Sequence, residues 1–290
     1  MDAMTRIEQA LNAAVDRADA PGGPPRLGGA VRHAVFPRGA RIRPKLCLAV
    51  AGACGDDAPE VADAAAVAIE LLHCASLVHD DLPCFDDAAT RRGKPSVHVA
   101  YGEPLAVLAG DAMIVLAFEE LARGAACAPE RLASLVLTVS RAVGMPSGIV
   151  AGQAWECEPQ VDLGDYHRAK TGALFAGATV AGAAAAGFEQ ATAWRTLGLR
   201  LGEAFQVADD LHDVASDPAE LGKPVGRDVA LGRRSAAREL GIAGAVELLD
   251  RLVAEAVDSI PRCPGAAQLK ALIRMEAQRF LPKQLARAAA

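Results

Sequence analysis

The stretch Val61–Asp87, VADAAAVAIELLHCASLVHDDLPCFDD, carries the reading of the fold. From Val61 to Val78 apolar residues recur at helical spacing and continue nearly all round, the pattern of a helix buried on every side. Four carboxylates then close it: Asp80, Asp81, Asp86 and Asp87. Carboxylates so near one another repel and lose stability unless something compensates them. Asp80 and Asp86 do not align on a straight helix. Pro83 removes a backbone donor and clashes with the preceding turn, so a distortion that brings the two together is expected there.

A second cluster, Asp209-Asp210-Leu211-His212-Asp213, ends another apolar helix, and Asp209 and Asp213 share one of its faces. One such cluster alone reads equally well as a solvated helix end. Two, far apart in sequence and each closing an apolar helix, point to a hard cation with oxygen ligands. Mg²⁺ takes octahedral oxygens at roughly 2.1 Å, commonly one or two carboxylates completed by phosphate oxygens and water. Two facing carboxylate walls would hold several such ions with a diphosphate between them.

Further out, helical periodicity recurs over Leu105–Ala122, Arg131–Val143, Ala193–Val214, Ala243–Ser259 and Ala267–Leu281, with Gly and Pro between. No sustained alternation of period two marks a strand. The expectation is an all-α chain of about ten helices forming one domain over residues 1–290. Composition agrees: hydrophobic residues make up 52% but aromatics only 4%, and alanine, the best helix former, dominates. The Pro/Gly-rich segment Ala20–Gly29 reads as a loop after a first helix too short to fold alone.

The formal charge of −6 argues against a nucleic-acid binder. It does not exclude an anionic substrate, because a metal bridges acid to phosphate. The uncharged run Thr171–Phe188 is nearly all Ala and Gly, too weakly hydrophobic for a membrane span, and reads as a tightly packed buried helix. The start, MDAMTRIEQALNAAVDR, lacks the apolar region of a signal peptide. Seven cysteines, an odd number without a CxxC pair, suggest neither a disulfide framework nor a zinc site, and a cytoplasmic setting is expected.

A diphosphate also needs cations from the protein. Arg91-Arg92-Gly93 follows the first acidic cluster, Gly222-Lys223 follows the second, and Lys170-Thr171-Gly172 lies between. Arg41-Ile42-Arg43-Pro44 sits early in the chain. Arginine suits phosphate because its planar fork binds two oxygens together. Each group alone is an ordinary surface cation; their bracketing of the acidic clusters favours function. His73, seven residues before Asp80 on nearly the same helix face, is placed to meet a phosphate, whereas His79 reads as a packed histidine.

LLHCASLVHDDLPCFDDAATRRGKPSVH, together with AKTGALF and FQVADDLHDV, closely resembles the trans-isoprenyl diphosphate synthases, over about Arg38 to Arg234. Within that family the chain looks most like bacterial geranylgeranyl diphosphate synthases of carotenoid and bacteriochlorophyll pathways. The resemblance implies an antiparallel helix bundle around a deep central cavity, normally a homodimer. It implies Mg²⁺ on Asp80, Asp86 and Asp209, supported by Asp81, Asp87, Asp210 and Asp213. The allylic diphosphate (dimethylallyl, geranyl or farnesyl) would meet Arg91, Lys170 and Lys223. Isopentenyl diphosphate would meet Arg41, His73 and Arg92, while the oxygens of Thr171 and Gln206 would face a developing carbocation. The chain departs from the family pattern at Ala40, where a lysine is usual and Arg38 or Arg43 would have to compensate. It departs also at His212, which replaces an apolar residue, and at Arg233, which replaces a lysine.

A helical turn rises about 5.4 Å, close to one isoprene unit, so residues one and two turns before Asp80 act as successive floors, with Ala75 and Ser76 on the first. The resemblance then implies product length: fifteen-carbon members of the family often carry a large aromatic at or beside the position of Ala75, so alanine leaves room for more. The four residues between Asp81 and Asp86 resemble short-chain members, and twenty carbons is expected. The alternatives are a farnesyl diphosphate synthase, a class I terpene cyclase, whose second metal motif differs, and a non-catalytic subunit of a heteromeric synthase.

Overall fold

The computed structural model describes residues 2–36, 39–160, 162–215 and 235–278. The chain begins with α1 (Ala3–Ala18), capped by the Asp2 carboxylate on the Thr5 amide. Next come α2 (Pro25–Val35), α3 (Ile42–Cys54) and α4 (Pro59–Asp80). Three helices follow the first aspartate cluster: α5 (Val97–Tyr101), α6 (Glu103–Gly124) and α7 (Leu132–Val143). The short α8 (Ile149–Ala154) and α9 (Leu163–His167) lead through a π-helical turn, Arg168–Gly172, into α10 (Ala173–Ala185). The long α11 (Arg195–Ala215) bears the second cluster, and α12 (Ala236–Asp258) and α13 (Ala266–Ala277) end the described chain.

Two helices form the core. Every residue of α10 is buried, and α4 is buried from Val61 to Val78 along most of its surface. α4 packs on α6, α3 and α10, while α10 packs on α3, α7 and α11. Alanine and glycine on α10 permit this crowding, since small side chains let helix backbones approach closely. Among the larger side chains Trp194, Phe175 and Leu197 are fully buried, and the Thr179 hydroxyl donates to the Trp194 carbonyl at 2.8 Å. By length and composition α4 would cross a membrane, but 78% of its apolar window is buried inside the bundle, as befits a core helix.

The expected helices are present among the described residues, with α12 beginning well before Ala243 and kinking at Gly241 (φ 71°), while the end of the expected Ala267–Leu281 helix lies outside the described residues. Two expectations need correction. The Pro/Gly-rich loop is shorter than Ala20–Gly29 because Pro25, a favoured first helical residue, already starts α2. A two-stranded antiparallel hairpin, β1 (Thr90–Arg91) and β2 (Lys94–Pro95), follows the first cluster, with Arg92 (φ 52°) and Gly93 (φ 76°) in its turn. Two-residue strands carry no readable period.

Candidate active site

α4 ends at Asp80, and the chain folds back on it. The Asp86 amide donates to the Asp80 carbonyl at 3.0 Å and the Asp87 amide to the Leu82 carbonyl at 3.1 Å. The distortion expected at Pro83 is therefore a tight loop that ends the helix. It sets Asp86 close enough to raise the pKa of Asp80. Burial raises that pKa first, Lys170 opposes, and Asp86 adds to the rise.

Lys170 lies on the π-helical turn, a local widening often found at functional sites. Its ammonium donates to Asp80 at 3.2 Å and to Glu156 at 2.5 Å. Burial works against that charge, but Asp80 and Glu156 outweigh it and hold the lysine above its usual range. The contact thus favours the Lys170 charge more than the Asp80 charge. Lys170 has two carboxylates beside it, whereas buried Asp80 also faces Asp86.

The next residue on the turn reaches the other way. Thr171 Oγ1 donates to Gln206 Oε1 at 3.4 Å, and Gln206 Nε2 donates to Asp210 Oδ1 at 3.1 Å. Lys170 and Thr171 therefore link the end of α4 to the acidic end of α11. A cleft of about 780 Å³ opens beside this second cluster, lined in part by Gly202, Gln206, Asp210 and Ser235.

Within each aspartate pair the two members differ. Asp80 and Asp209 are half-buried, whereas Asp81 and Asp210 are only 2% and 5% exposed. Asp81 takes a forked ion pair from Arg91, with Nε at 3.0 Å from Oδ1. Asp210 accepts from Gln206 and from the Ala236 amide at 2.8 Å. Adjacent helical residues point about 100° apart, so the two members of each pair meet different surroundings and the second of each is the more buried. Asp81 and Asp210, expected as metal ligands, and Arg91, expected on a diphosphate, are thus engaged with protein partners. Asp213 is buried too.

A second group of cations stands one to two turns up α4. His73 Nε2 lies 3.5 Å from Arg43 Nη1, and Arg43 stacks over the Phe175 ring at 4.5 Å. The Arg43 Nε is buried and lacks a hydrogen-bond partner among the described residues. Burial and neighbouring Arg92 bring Arg43 down to about 10, against some support from Glu70. Burial, then Arg43 and Arg92, push His73 well below 6.5, so it is neutral at pH 7. Two arginines crowded at a half-buried place, with a donor left over, suit an anion.

Arg41 requires correction. Its side chain is 0% exposed and is bound by Glu70 at 2.5 Å, Glu8 at 2.9 Å and the Val35 carbonyl at 2.8 Å. It faces the interior; Arg43 faces the cationic group. His79 packs over Gly110 with Nε2 3.3 Å from the Val107 carbonyl, the packed role expected of it. Ala75 is buried, and the Ser76 hydroxyl turns back to its own helix, donating to the His73 carbonyl at 2.8 Å. Lys223, Arg233 and Arg38 lie outside the described residues.

Sequence reasoning missed Glu156. Besides Lys170 it binds the Tyr166 hydroxyl at 2.6 Å and Gln153 at 2.9 Å, closing the site from the α8 side. A lone glutamate in a polar stretch gives no signal of that.

Among the described residues no three His, Cys, Asp or Glu side chains converge as a ready-made metal cage. Mg²⁺ needs no such cage, since one or two carboxylates suffice when phosphate oxygens and water complete its shell. Asp80, Asp86 and Asp209 supply hard oxygen donors. A dication would relieve the repulsion between Asp80 and Asp86, so the residues fit the ion.

Comparison with known proteins gives the family. The polyprenyl synthetase family pattern matches residues 24–258. A geranylgeranyl diphosphate synthase of Cereibacter sphaeroides is 56% identical over 281 residues, covering 97% of each chain. Among solved structures, a geranyltransferase from Legionella pneumophila superposes with a TM-score of 0.79 at 30% identity, covering 96% of this chain and 94% of its own. A geranyltransferase from Helicobacter pylori, complexed with magnesium and isoprenyl diphosphate, gives 0.78 at 29% identity, covering 96% and 98%. With its helical architecture, its two aspartate segments linked through Lys170 and Thr171, and these relatives, the chain belongs to the polyprenyl synthetase family.

Proposed function

We propose that this chain is a Mg²⁺-dependent head-to-tail prenyltransferase that joins isopentenyl diphosphate to an allylic diphosphate and releases geranylgeranyl diphosphate. The observation that supports this reading is the link from Asp80 through Lys170 and Thr171 to Gln206 and Asp210, which joins the two acidic segments. The separate group of Arg43, His73 and Arg92 supplies a second anion position. One acid-lined and one cation-lined position suit a reaction of two diphosphates, only one of which departs.

Asp80, Asp86 and Asp209 would hold Mg²⁺, which when bound supplies Lewis-acid charge to the departing diphosphate. Lys170 donates to the same diphosphate and stabilises the charge that grows on it. Arg91, holding Asp81, fixes the loop from which Asp80 and Asp86 project. On the carbon side Thr171 Oγ1 and the Gln206 carbonyl oxygen, the latter oriented by Asp210, face the allylic cation with their dipoles. Arg43 and Arg92 grip isopentenyl diphosphate, with neutral His73 accepting from Arg43. The double bond of isopentenyl diphosphate attacks the cation, and the released diphosphate takes the proton. The apolar walls of α4 and α10 keep water from the cation.

The product then grows along α4, where Ala75 is small and Ser76 is folded onto its own backbone, so neither stops the chain at fifteen carbons. A second copy of this chain would cover the outer face of α6, where Val107, Leu108 and Val115 are 41%, 50% and 67% exposed. Seven unpaired cysteines favour the cytoplasm as its compartment. The test is to incubate the purified chain alone with Mg²⁺, isopentenyl diphosphate and each allylic diphosphate, and to weigh the products. A twenty-carbon product is expected. A fifteen-carbon end product would favour the farnesyl reading, and no product would overturn catalysis by this chain alone.

A further inference from the structure

We propose that the buried pair Arg41–Glu70 is a positioning device that sets the affinity for isopentenyl diphosphate by fixing the places of Arg43 and Arg92. The proposal rests on the assignment of Arg43, His73 and Arg92 to that diphosphate. Arg41 adopts a left-handed backbone (φ 51°), which disfavours any residue with a Cβ. Such a conformation persists only where surroundings over-determine it. Here they do. The guanidinium is bound by Glu8 on α1, by the Val35 carbonyl at the end of α2, and by Glu70 on α4. Its own carbonyl accepts from the Lys45 amide at 3.1 Å, opening α3.

The consequences for the site run along the chain in both directions. Glu70 and His73 share a face of α4, so Arg41–Glu70 and Arg43–His73 are two successive rungs between α3 and α4. If the lower rung shifts, Arg43 leaves its stack on Phe175. On the other side, Arg92 lies flat on Gly39, where an added Cβ would stand 2.6 Å from its Cζ. Arg92 also stands close enough to the Cys74 thiol to oppose the rise that burial gives its pKa, and that thiol donates to Glu70 at 3.9 Å. Segment 39–43 thus seats one cation of the anion site and carries another, and Arg41 is what pins it. A buried guanidinium held at three points serves such a purpose better than apolar packing, because its fixed donor geometry admits one register.

The experiment is a double-mutant cycle with Arg41→Lys and Arg43→Met, read as kcat and as KM for isopentenyl and farnesyl diphosphates separately. Arg41→Lys keeps a charge but loses the fork. Its KM for isopentenyl diphosphate should rise about tenfold, the size of one lost charge-assisted hydrogen bond, with kcat and the farnesyl KM within about threefold. In the Arg43→Met background it should add clearly less than it does alone, only the part that runs through Arg92. Multiplying effects in the double variant, or a fall in kcat with KM unchanged, would overturn the positioning role. An unchanged isopentenyl KM in Arg43→Met alone would instead overturn the anion site beneath it. Should Arg41→Lys not fold, Glu8→Gln, which loosens one arm of the same anchor, takes its place in the cycle with a smaller shift in the same direction.

Discussion

Gly198 holds the two halves of the site at their working distance, and replacing it with alanine tests this. It lies on α11, two turns before Gln206, against the start of α10. A Cβ built there stands 2.4 Å from Ala176 Cα and 2.5 Å from the Phe175 carbonyl oxygen. Both are backbone atoms, so no side chain can swing aside. Ordinary carbon contacts lie at about 3.5–4.0 Å, so the helices must part by about 1–1.5 Å. Such overpacking costs about 1–3 kcal/mol. For 290 residues, unfolding entropy scales to about 0.6 kcal/mol per degree, so Tm should fall by about 2–5 °C.

The catalytic loss should be larger than the stability loss. α10 continues from the turn that bears Lys170 and Thr171, while α11 bears Gln206 and Asp209. Parting them breaks the Thr171–Gln206 contact, and a displacement of about 1 Å can cost about 100-fold in rate. Turnover by product formation and a thermal melt on the same preparation are the assays. Gly52→Ala is the control: on α3 its added methyl meets nothing within 4 Å, and alanine there should leave kcat unchanged and raise stability by about 0.5–1 kcal/mol. If Gly198→Ala keeps kcat within threefold and Tm unmoved, the close seam between α10 and α11 does not set the site.

Other predictions follow from single groups. His73 is held well below its ordinary 6.5, so its neutral form stabilises the fold fully above that value, and the contribution is lost as pH falls towards the depressed folded value. In His73→Gln, the loss of Tm on acidifying below 6.5 should be smaller than in the wild type; identical slopes would mean the histidine is not held neutral. Ala75→Phe fills a buried position one turn above Asp80 and should move the product from twenty towards fifteen carbons by mass spectrometry; an unchanged product removes Ala75 from the length-setting wall. Mg²⁺ alone should barely move Tm, whereas Mg²⁺ with inorganic diphosphate at about 100-fold over its Kd should add about 2.7 kcal/mol, and chelation should reverse this. A full shift with Mg²⁺ alone would indicate a preformed metal cage.

The parts of this site that were legible in the sequence are those where charge breaks an apolar pattern. Asp80 and Asp209 stand out because each opens a cluster of carboxylates that breaks an apolar helical pattern, and α4 and α10 are readable because their apolar residues run nearly all round. What was not legible depends on backbone turns and tertiary partners. Arg41 and Arg43 are alike in sequence, and only the left-handed turn at Arg41 sends one inward and the other to the site. Asp81 and Asp210 look like their neighbours until Arg91 and Ala236 are seen to hold them. Glu156 acquires meaning only when Lys170 arrives from another helix.

The central claim is that the two acidic helix ends grip one diphosphate together, and a double-mutant cycle on binding tests it most directly. Asp80→Asn, Asp209→Asn and the double variant are compared for their Kd towards farnesyl diphosphate in excess Mg²⁺, with and without chelator. If both walls hold their Mg²⁺ on the same diphosphate, either single change should lose nearly as much affinity as both together, and the coupling should vanish in the chelated samples. Independent, additive losses, or a coupling that survives chelation, would contradict it.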